Sequence, residues 1–273
     1  MTALAEPPIA EPAPDIRWHR VKAVVRRHVL VQARNPGHWF LLFVLPVVDA
    51  VLFSSIGVAF GETDRAVEIL VVGILLFHVI WQLTLSGSLG FLEEVWSRNV
   101  LNLWTTPLTE REYGLALLLT GFVRALVSMG LVGIVAAGLY SVDPTGAGWV
   151  LAVGAAALMV FGWAVALLVI GLVLQFGETA EVFSWGLIVL LMPLSGIFYP
   201  PEALPGALQP VAEVIPLTRV FEATRASLEG GSVQWVDLGV GTAGSLICVV
   251  LGAWFVQRQL RRFRQQGWIT RFS

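Results

Sequence analysis

Lys22 is the only lysine in this chain of 273 residues, and that single count closes off a large class of chemistry. A phosphate-binding loop needs Gly-x-x-x-x-Gly-Lys-Ser/Thr, so no Walker A loop can be built, and any ATP-driven work must come from a partner chain. The histidines His19, His28, His38 and His78 never fall at the short spacing of a zinc pair such as His-x-x-x-His. Cys248 is the single cysteine, so neither an internal disulfide nor a multi-cysteine metal site is available. No Gly-x-Ser-x-Gly elbow occurs. The paired carboxylates Glu93-Glu94 and Glu178/Glu181 fall in polar connections rather than in a pocket. No catalytic, cofactor-binding or metal-ligating residue is therefore assigned. What remains are two ionisable residues inside apolar stretches, Asp49 (three residues after Pro46) and Arg124. Such groups are costly in hydrocarbon and default to functional candidates. They either line a route or hold two chains in register, or they are satisfied by a neighbouring helix. His78 is expected to be a packing residue.

The elements that would carry these residues follow from composition. The chain is 56% hydrophobic and only 13% charged, with a mean hydropathy of +0.78, whereas soluble domains run about a quarter charged. A net charge of −2 argues against a nucleic-acid footprint. Six apolar stretches approach the ~20 residues that a helix needs to cross a bilayer. They run roughly over 39–60, 67–92, 113–140, 149–176, 182–199 and 236–256. The expected fold is thus all-α, a polytopic membrane protein with six transmembrane helices. Glycines at 130, 133 and 138 and at 239, 241 and 244 would let helices approach closely.

Residues 1–15 are rich in Ala, Pro and Glu, lack the basic start and apolar run of a secretory signal, and are expected to form a disordered cytoplasmic tail. From 16 to 35 the sequence alternates basic and apolar residues. Trp18, Val21, Val25 and Val29 share one face of a helical wheel, and Arg20, Arg27 and Arg34 share the opposite one. This predicts an amphipathic interfacial helix with its arginines toward anionic headgroups. Asn35-Pro36-Gly37 then breaks it. The transmembrane domain is expected over 16–257, with a basic cytoplasmic tail at 258–273. If both termini and the loop between the second and third spans share a side, that side holds thirteen basic residues. The opposite side holds only Arg65, Arg219 and Arg225. Both termini are therefore expected in the cytoplasm. The longest connection, 200–235, is external in that topology. Its apolar pieces are too short to span and are broken by Pro201, Pro205, Pro210 and Pro216, which predicts short re-entrant helices. Glu222 and Arg225, three apart, are placed to pair on one helical face.

Two stretches are specific. One runs from Glu93 to Tyr113 and reads EEVWSRNVLNLWTTPLTEREY. The other, PLSGIFYPPEALP from Pro193 to Pro205, continues through PLTRVFEATR from Pro216 to Arg225. In this order, with six spans and an interfacial helix ahead of them, they resemble the permease subunit of type-2 ABC exporters. That group includes daunorubicin-resistance permeases and the polysaccharide and lipo-oligosaccharide exporters. The resemblance covers nearly the whole chain from about Arg17.

It implies a transporter of two permease chains, alike or different, and two separate ATPase chains that bind ATP and Mg, in a bacterial plasma membrane. The 93–113 segment would be the coupling element pressed into the ATPase. Trp96, Leu101 and Trp104 would serve as apolar anchors, Glu93, Glu94, Arg98 and Arg111 as register charges, and Pro107 as a stop. Aromatic anchors carry disproportionate interface energy. The alternative is a plain connecting helix. Many relatives carry a glycine after the acidic pair, where this chain has Ser97-Arg98-Asn99-Val100. Phe198, Tyr199, Pro200, Pro205, Pro216 and Phe221 would form an external gate, or else be interfacial anchors.

The function this implies is outward movement of a hydrophobic or amphipathic small molecule, drug-like or lipid-like. Polysaccharide or glycolipid export by the same machinery is the alternative. A passive channel or secondary transporter would need midplane carboxylates or inverted repeats, and only Asp49 offers one.

Overall fold

The computed structural model describes residues 16–59, 64–140 and 148–266. The tail expected at 1–15 and the end of the basic tail lie outside the described residues. In chain order the helices are α1 (Trp18–Ala33), α2 (Pro36–Trp39), α3 (Leu45–Ala59), α4 (Asp64–Trp96), α5 (Val100–Thr105), α6 (Glu110–Tyr140), α7 (Gly148–Phe176), α8 (Glu181–Leu194), α9 (Gln209–Val214), α10 (Pro216–Leu228) and α11 (Trp235–Gln266). A π-helical turn, Phe40–Val44, joins α2 to α3, and a 3-10 turn, Gly177–Ala180, joins α7 to α8. Among the described residues there is no strand.

Among the described residues five continuous helical stretches are long and apolar enough to cross a membrane: Pro36–Ala59, Val67–Trp96, Glu110–Tyr140, Gly148–Leu194 and Trp235–Arg262. The chain is a multi-pass membrane protein. The fourth stretch has 47 residues. As one straight helix it would measure about 70 Å, more than twice the ~30 Å hydrocarbon core. It instead turns back on itself. Gly177 takes a left-handed φ of +73°, which only glycine adopts at no steric cost, and the 3-10 turn follows. Contacts on both sides trace the reversal. Gly154 of α7 lies against Thr224 of α10, and the carbonyl of Leu194, at the end of α8, accepts from Thr218 Oγ1 of the same α10 at 3.5 Å.

The hub is α4, whose side chains from Val71 through Leu92 are almost all buried. Glycines set how closely its neighbours come. A Cβ on Gly87 would sit 2.5 Å from Ala166 Cβ of α7, and one on Gly162 of α7 would sit 2.9 Å from Leu83 Cβ of α4. By contrast α3 and α11 turn most of their apolar side chains outward, including Val48, Leu52, Val240, Ile247 and Val250. A helix apolar all round sheds nothing to lipid, so exposure here is the expected surface of a membrane protein. Gly130 and Gly138 of α6 have open space where a side chain would go, so they do not mediate close packing within the chain. The same holds for Gly239, whereas Gly241 and Gly244 do receive a neighbour, the backbone and ring of Pro216.

Candidate functional site

Charge concentrates where α1 lies across the end of α4 and the start of α6. The wheel drawn for α1 is rotated in the folded chain. Its buried face is Val21, Val24, His28 and Gln32, while Trp18 and Val29 are exposed. Arg20 and Arg27, expected to reach for headgroups, turn inward instead. Arg27 makes two hydrogen bonds to the carboxylate of Glu94, and Nη2 lies 2.8 Å from Oε2. Arg20 Nη1 lies 3.6 Å from Glu112 Oε2 and donates to the carbonyl of Pro107. The physical reason is that Glu94 and Glu112 are themselves buried, and a buried carboxylate must be paired. Bonding to Glu94 holds the Arg27 guanidinium above its already high ordinary pKa, while burial pushes the His28 imidazole down. His38 Nε2 adds a third contact, 2.8 Å from Glu93 Oε1.

Glu94 also fixes the expected coupling segment. Its backbone carbonyl accepts from the N–H of Asn99 at 2.8 Å, and Val95 accepts from Arg98 at 3.0 Å. This crossed pair is a Schellman ending of α4, with Arg98 as the left-handed residue at φ +52°. The Glu94 side chain closes the loop a second time, accepting from Asn99 Nδ2 at 2.6 Å. Arg98 thus occupies a backbone position that favours glycine. Three residues before α6 is fully under way, Thr109 and Glu112 form a reciprocal capping box. Glu112 Oε2 accepts from Thr109 N–H at 2.9 Å, and Thr109 Oγ1 accepts from Glu112 N–H at 3.2 Å. Arg17 N–H reaches Glu112 Oε1 at 2.8 Å. Between these two anchors Trp96, Arg98, Pro107 and Arg111 are exposed, while Glu94 is buried and fully engaged. Short α5 carries Leu101 and Trp104, whose side chains lie outside the described ones.

The two intramembrane residues have separate partners. Arg124 of α6 is buried and donates from Nε to Gln82 Oε1 of α4 at 3.1 Å and from Nη1 to Gln32 Oε1 of α1 at 3.0 Å. Gln82 passes the chain on, donating from Nε2 to the Leu41 carbonyl at 3.0 Å. That carbonyl lies in the π turn ahead of Pro46, whose ring nitrogen has no hydrogen to give. Among the described residues no carboxylate pairs with Arg124. Asp49 of α3 meets His78 of α4, with Oδ2 3.2 Å from Nε2. His78 is fully buried, in keeping with packing, and neither of its ring nitrogens makes a hydrogen bond.

At the opposite end the Pro-rich segment is held by shape. Gly196, at φ +71°, turns the chain after α8, and its carbonyl accepts from Arg225. Arg225 is thereby drawn away from Glu222, which instead lies 3.7 Å from Arg219, itself 3.5 Å from Asp237 of α11. The expected Glu222–Arg225 pair does not form because a carbonyl at a helix terminus is the nearer acceptor. Ile197 drops its carbonyl into the notch at Gly73 of α4, where a Cβ would come within 2.7 Å. Phe198 stacks on Phe53 of α3 with ring centroids 4.4 Å apart, Tyr199 Oη donates to the Pro193 carbonyl at 2.9 Å, and Phe221 is buried against α4. Pro200 and Pro205 are exposed, and Pro216 begins α10.

No curated protein matches this chain. A family model described as ABC-2 type transporter does match, over residues 19–228, from α1 to the end of α10. That range takes in the α1 clamp, the exposed 96–111 segment and the proline-rich turn together. The chain belongs to the ABC-2 type transporter family, as the membrane-spanning permease subunit of an ABC transporter and not its ATPase.

Proposed function

We propose that the chain exports a hydrophobic or amphipathic small molecule across a bacterial plasma membrane, as one of two permeases working with two ATPase subunits that bind ATP and Mg. The helices cross six times, α7 and α8 being separate passes, and both termini lie in the cytoplasm. The exposed Trp96, Arg98 and Arg111, with Leu101, Trp104 and Pro107, form the ATPase-docking surface. Glu93 and Glu94 act from behind it, tying that surface to α1. The observation that carries this reading is the Glu94 side chain, which joins the loop residue Asn99 to Arg27 of α1 at the foot of α4. A push on the segment is thereby delivered to α1. From there Gln32 hands it to Arg124 in the bundle. At the far end Phe198, Tyr199, Pro200, Pro205, Pro216 and Phe221 form the outer gate, which opens when the spans rotate.

Apolar cavities discriminate weakly, by about 1–3 kcal/mol per methylene, so drug-like and lipid-like cargo suit the same frame. Polysaccharide or glycolipid export is the second reading, favoured by the same family membership. Tagged chain, purified from its native membrane in mild detergent, should bring down a P-loop ATPase in about equal amount. Trp96→Asp with Trp104→Asp should lose it. Recovery of the chain alone, from membranes that keep other transporters assembled, would remove the coupling role.

A further inference from the structure

The outward side of α11 is used neither by the exposed 96–111 segment nor by the proline-rich turn. Along it Ile247, Val250, Leu251 and Trp254 are exposed, and at the same helical spacing the stripe continues as Arg258, Arg261 and Arg262. One face thus passes from apolar to basic without a break, near the end of the span Trp235–Arg262. At 1.5 Å per residue Arg258 lies about 10 Å beyond Leu251 along the axis, and Arg262 about 16 Å. The register of this face is fixed from behind. Gly252 receives Leu167 of α7, whose Cβ would lie 3.0 Å from a Cβ placed there. Gln259 is buried and donates from Nε2 to Gln175 Oε1 of α7 at 3.0 Å. With Gln259 held inward, the three arginines around it face out.

Trp254, Gln257, Arg258, Arg261 and Arg262 line a hollow of about 280 Å³. The Arg258 guanidinium lies over the Trp254 ring, 5.3 Å from its centroid, which draws it toward the apolar stripe. The helix supplies no counter-charge, since from Leu238 to Ser273 the sequence has no Asp or Glu. Glu178 and Glu181 follow Gln175 in the chain. Among the described residues, however, no carboxylate forms an ion pair with any of the three arginines.

Guanidinium forks match phosphate oxygens two at a time. A zwitterionic headgroup would bring its own cation to the cluster, whereas an anionic one would not. A free phosphate or an acidic protein segment would use the arginines and leave Ile247, Val250 and Leu251 without a partner. A ligand with a phosphate at one end and hydrocarbon at the other uses both halves of the face. We propose that this end of α11 binds an anionic glycerophospholipid. Its phosphate sits among Arg258, Arg261 and Arg262, and its acyl chains lie along Leu251, Val250 and Ile247. The site depends on α11 crossing the membrane and not on the export or coupling reading.

The test titrates the delipidated full chain in detergent with dioctanoyl phosphatidylglycerol or dioctanoyl phosphatidylcholine and counts bound lipid by native mass spectrometry. Phosphatidylglycerol should bind at least about tenfold more tightly, because each arginine near an anionic headgroup contributes roughly fivefold. Replacing Arg258, Arg261 and Arg262 together by Gln should remove most of that preference. Arg26→Gln with Arg34→Gln, which takes two exposed arginines from α1, should keep it. Both variants should unfold at the wild-type temperature when no lipid is added, since the side chains removed are exposed. Equal binding of the two lipids, or an equal loss in the α1 variant, would overturn the site, the second by making the attraction diffuse. Inorganic phosphate should not displace the lipid, and full displacement would reduce the cluster to a free-anion site. Phosphatidylglycerol binding kept by the triple variant would also overturn the proposal. If that variant then lost a partner from its native membrane, the arginines would serve a protein instead.

Discussion

At the α1 end of the bundle, the contacts that cross between helices are polar: the ion pairs Arg27 to Glu94 and Arg20 to Glu112, and the approach of His38 to Glu93. At the α10 end one partly exposed ion pair, Arg219 to Asp237, crosses to α11, and the buried contacts are made by shape, with Ile197 in the Gly73 notch, Pro216 against Gly241 and Gly244, and Phe53 stacked on Phe198. The two kinds of joint fail differently. An ion pair whose carboxylate is buried holds its partner at one distance and is lost when either charge goes. A glycine notch carries no charge, tolerates salt and pH, and is lost when volume is added. A joint of the first kind suits an element that must pass on a push, and one of the second suits a plug that seats or does not.

The comparison breaks first at Glu94. Glu94→Ala strands Arg27 and Asn99 and undoes the α4 ending together with the docking of α1. We expect a loss of about 3 kcal/mol, the low end for breaking a buried pair because Arg27 is partly exposed. Thermal unfolding in detergent would read it, and cross-linking between α1 and α4 should fall in parallel. A loss below about 1 kcal/mol would mean that α1 is held by its valines and not by charge. Next comes Gly241→Val. The new side chain would meet the Pro216 carbonyl, which lies 2.8 Å from the ideal Cβ, and Val220 Cγ2 at 2.7 Å. The cost should be about 2 kcal/mol from overpacking. It should also be independent of salt between low and high ionic strength, where the loss at Glu94 is not.

The sequence made the helices legible because apolar length alone marks a span, and the break between the stretches at 149–176 and 182–199 falls where the structure turns at Gly177. The capping box at Thr109 and Glu112 was not read from the sequence, although its spacing is there. What the sequence could not supply was partner choice. Arg20 and Arg27 lie on a polar face by periodicity, but which way that face points depends on Glu94 and Glu112, the nearer pair already 67 residues apart in the chain. Arg225 went to a carbonyl rather than to Glu222 because backbone acceptors leave no trace in side-chain spacing.

A smaller effect sharpens the Glu94 joint from the other side. Arg98 holds a left-handed φ of +52°, a conformation costing a non-glycine residue about 1 kcal/mol. Arg98→Gly should therefore stabilise the ending of α4 by about 0.5–1 kcal/mol. If Arg98 also contacts an ATPase, the same change should weaken that association while raising thermal stability. A variant that lowers both would place the value of Arg98 in contacts within the chain.

The smallest effect is a titration. His28 sits on the buried face of α1, its ring centroid 6.0 Å from that of Tyr113, and burial holds its pKa below the ordinary imidazole value. The undocked helix then binds protons more readily than the docked one, so docking strengthens as pH rises. The full stability is present above about pH 6.5, the ordinary histidine value, and is lost progressively as pH falls below it. Hydrogen exchange of α1 amides at pH 7.5 and 5.5 should show faster opening at the lower pH, and His28→Leu should remove most of that difference. The carboxylates of Glu93 and Glu94 oppose the shift by attracting the imidazolium, so the effect stays below that of Glu94→Ala. An equal pH response in His28→Leu would remove His28 as its source. No such response is expected at the α10 end, where the joints carry no histidine.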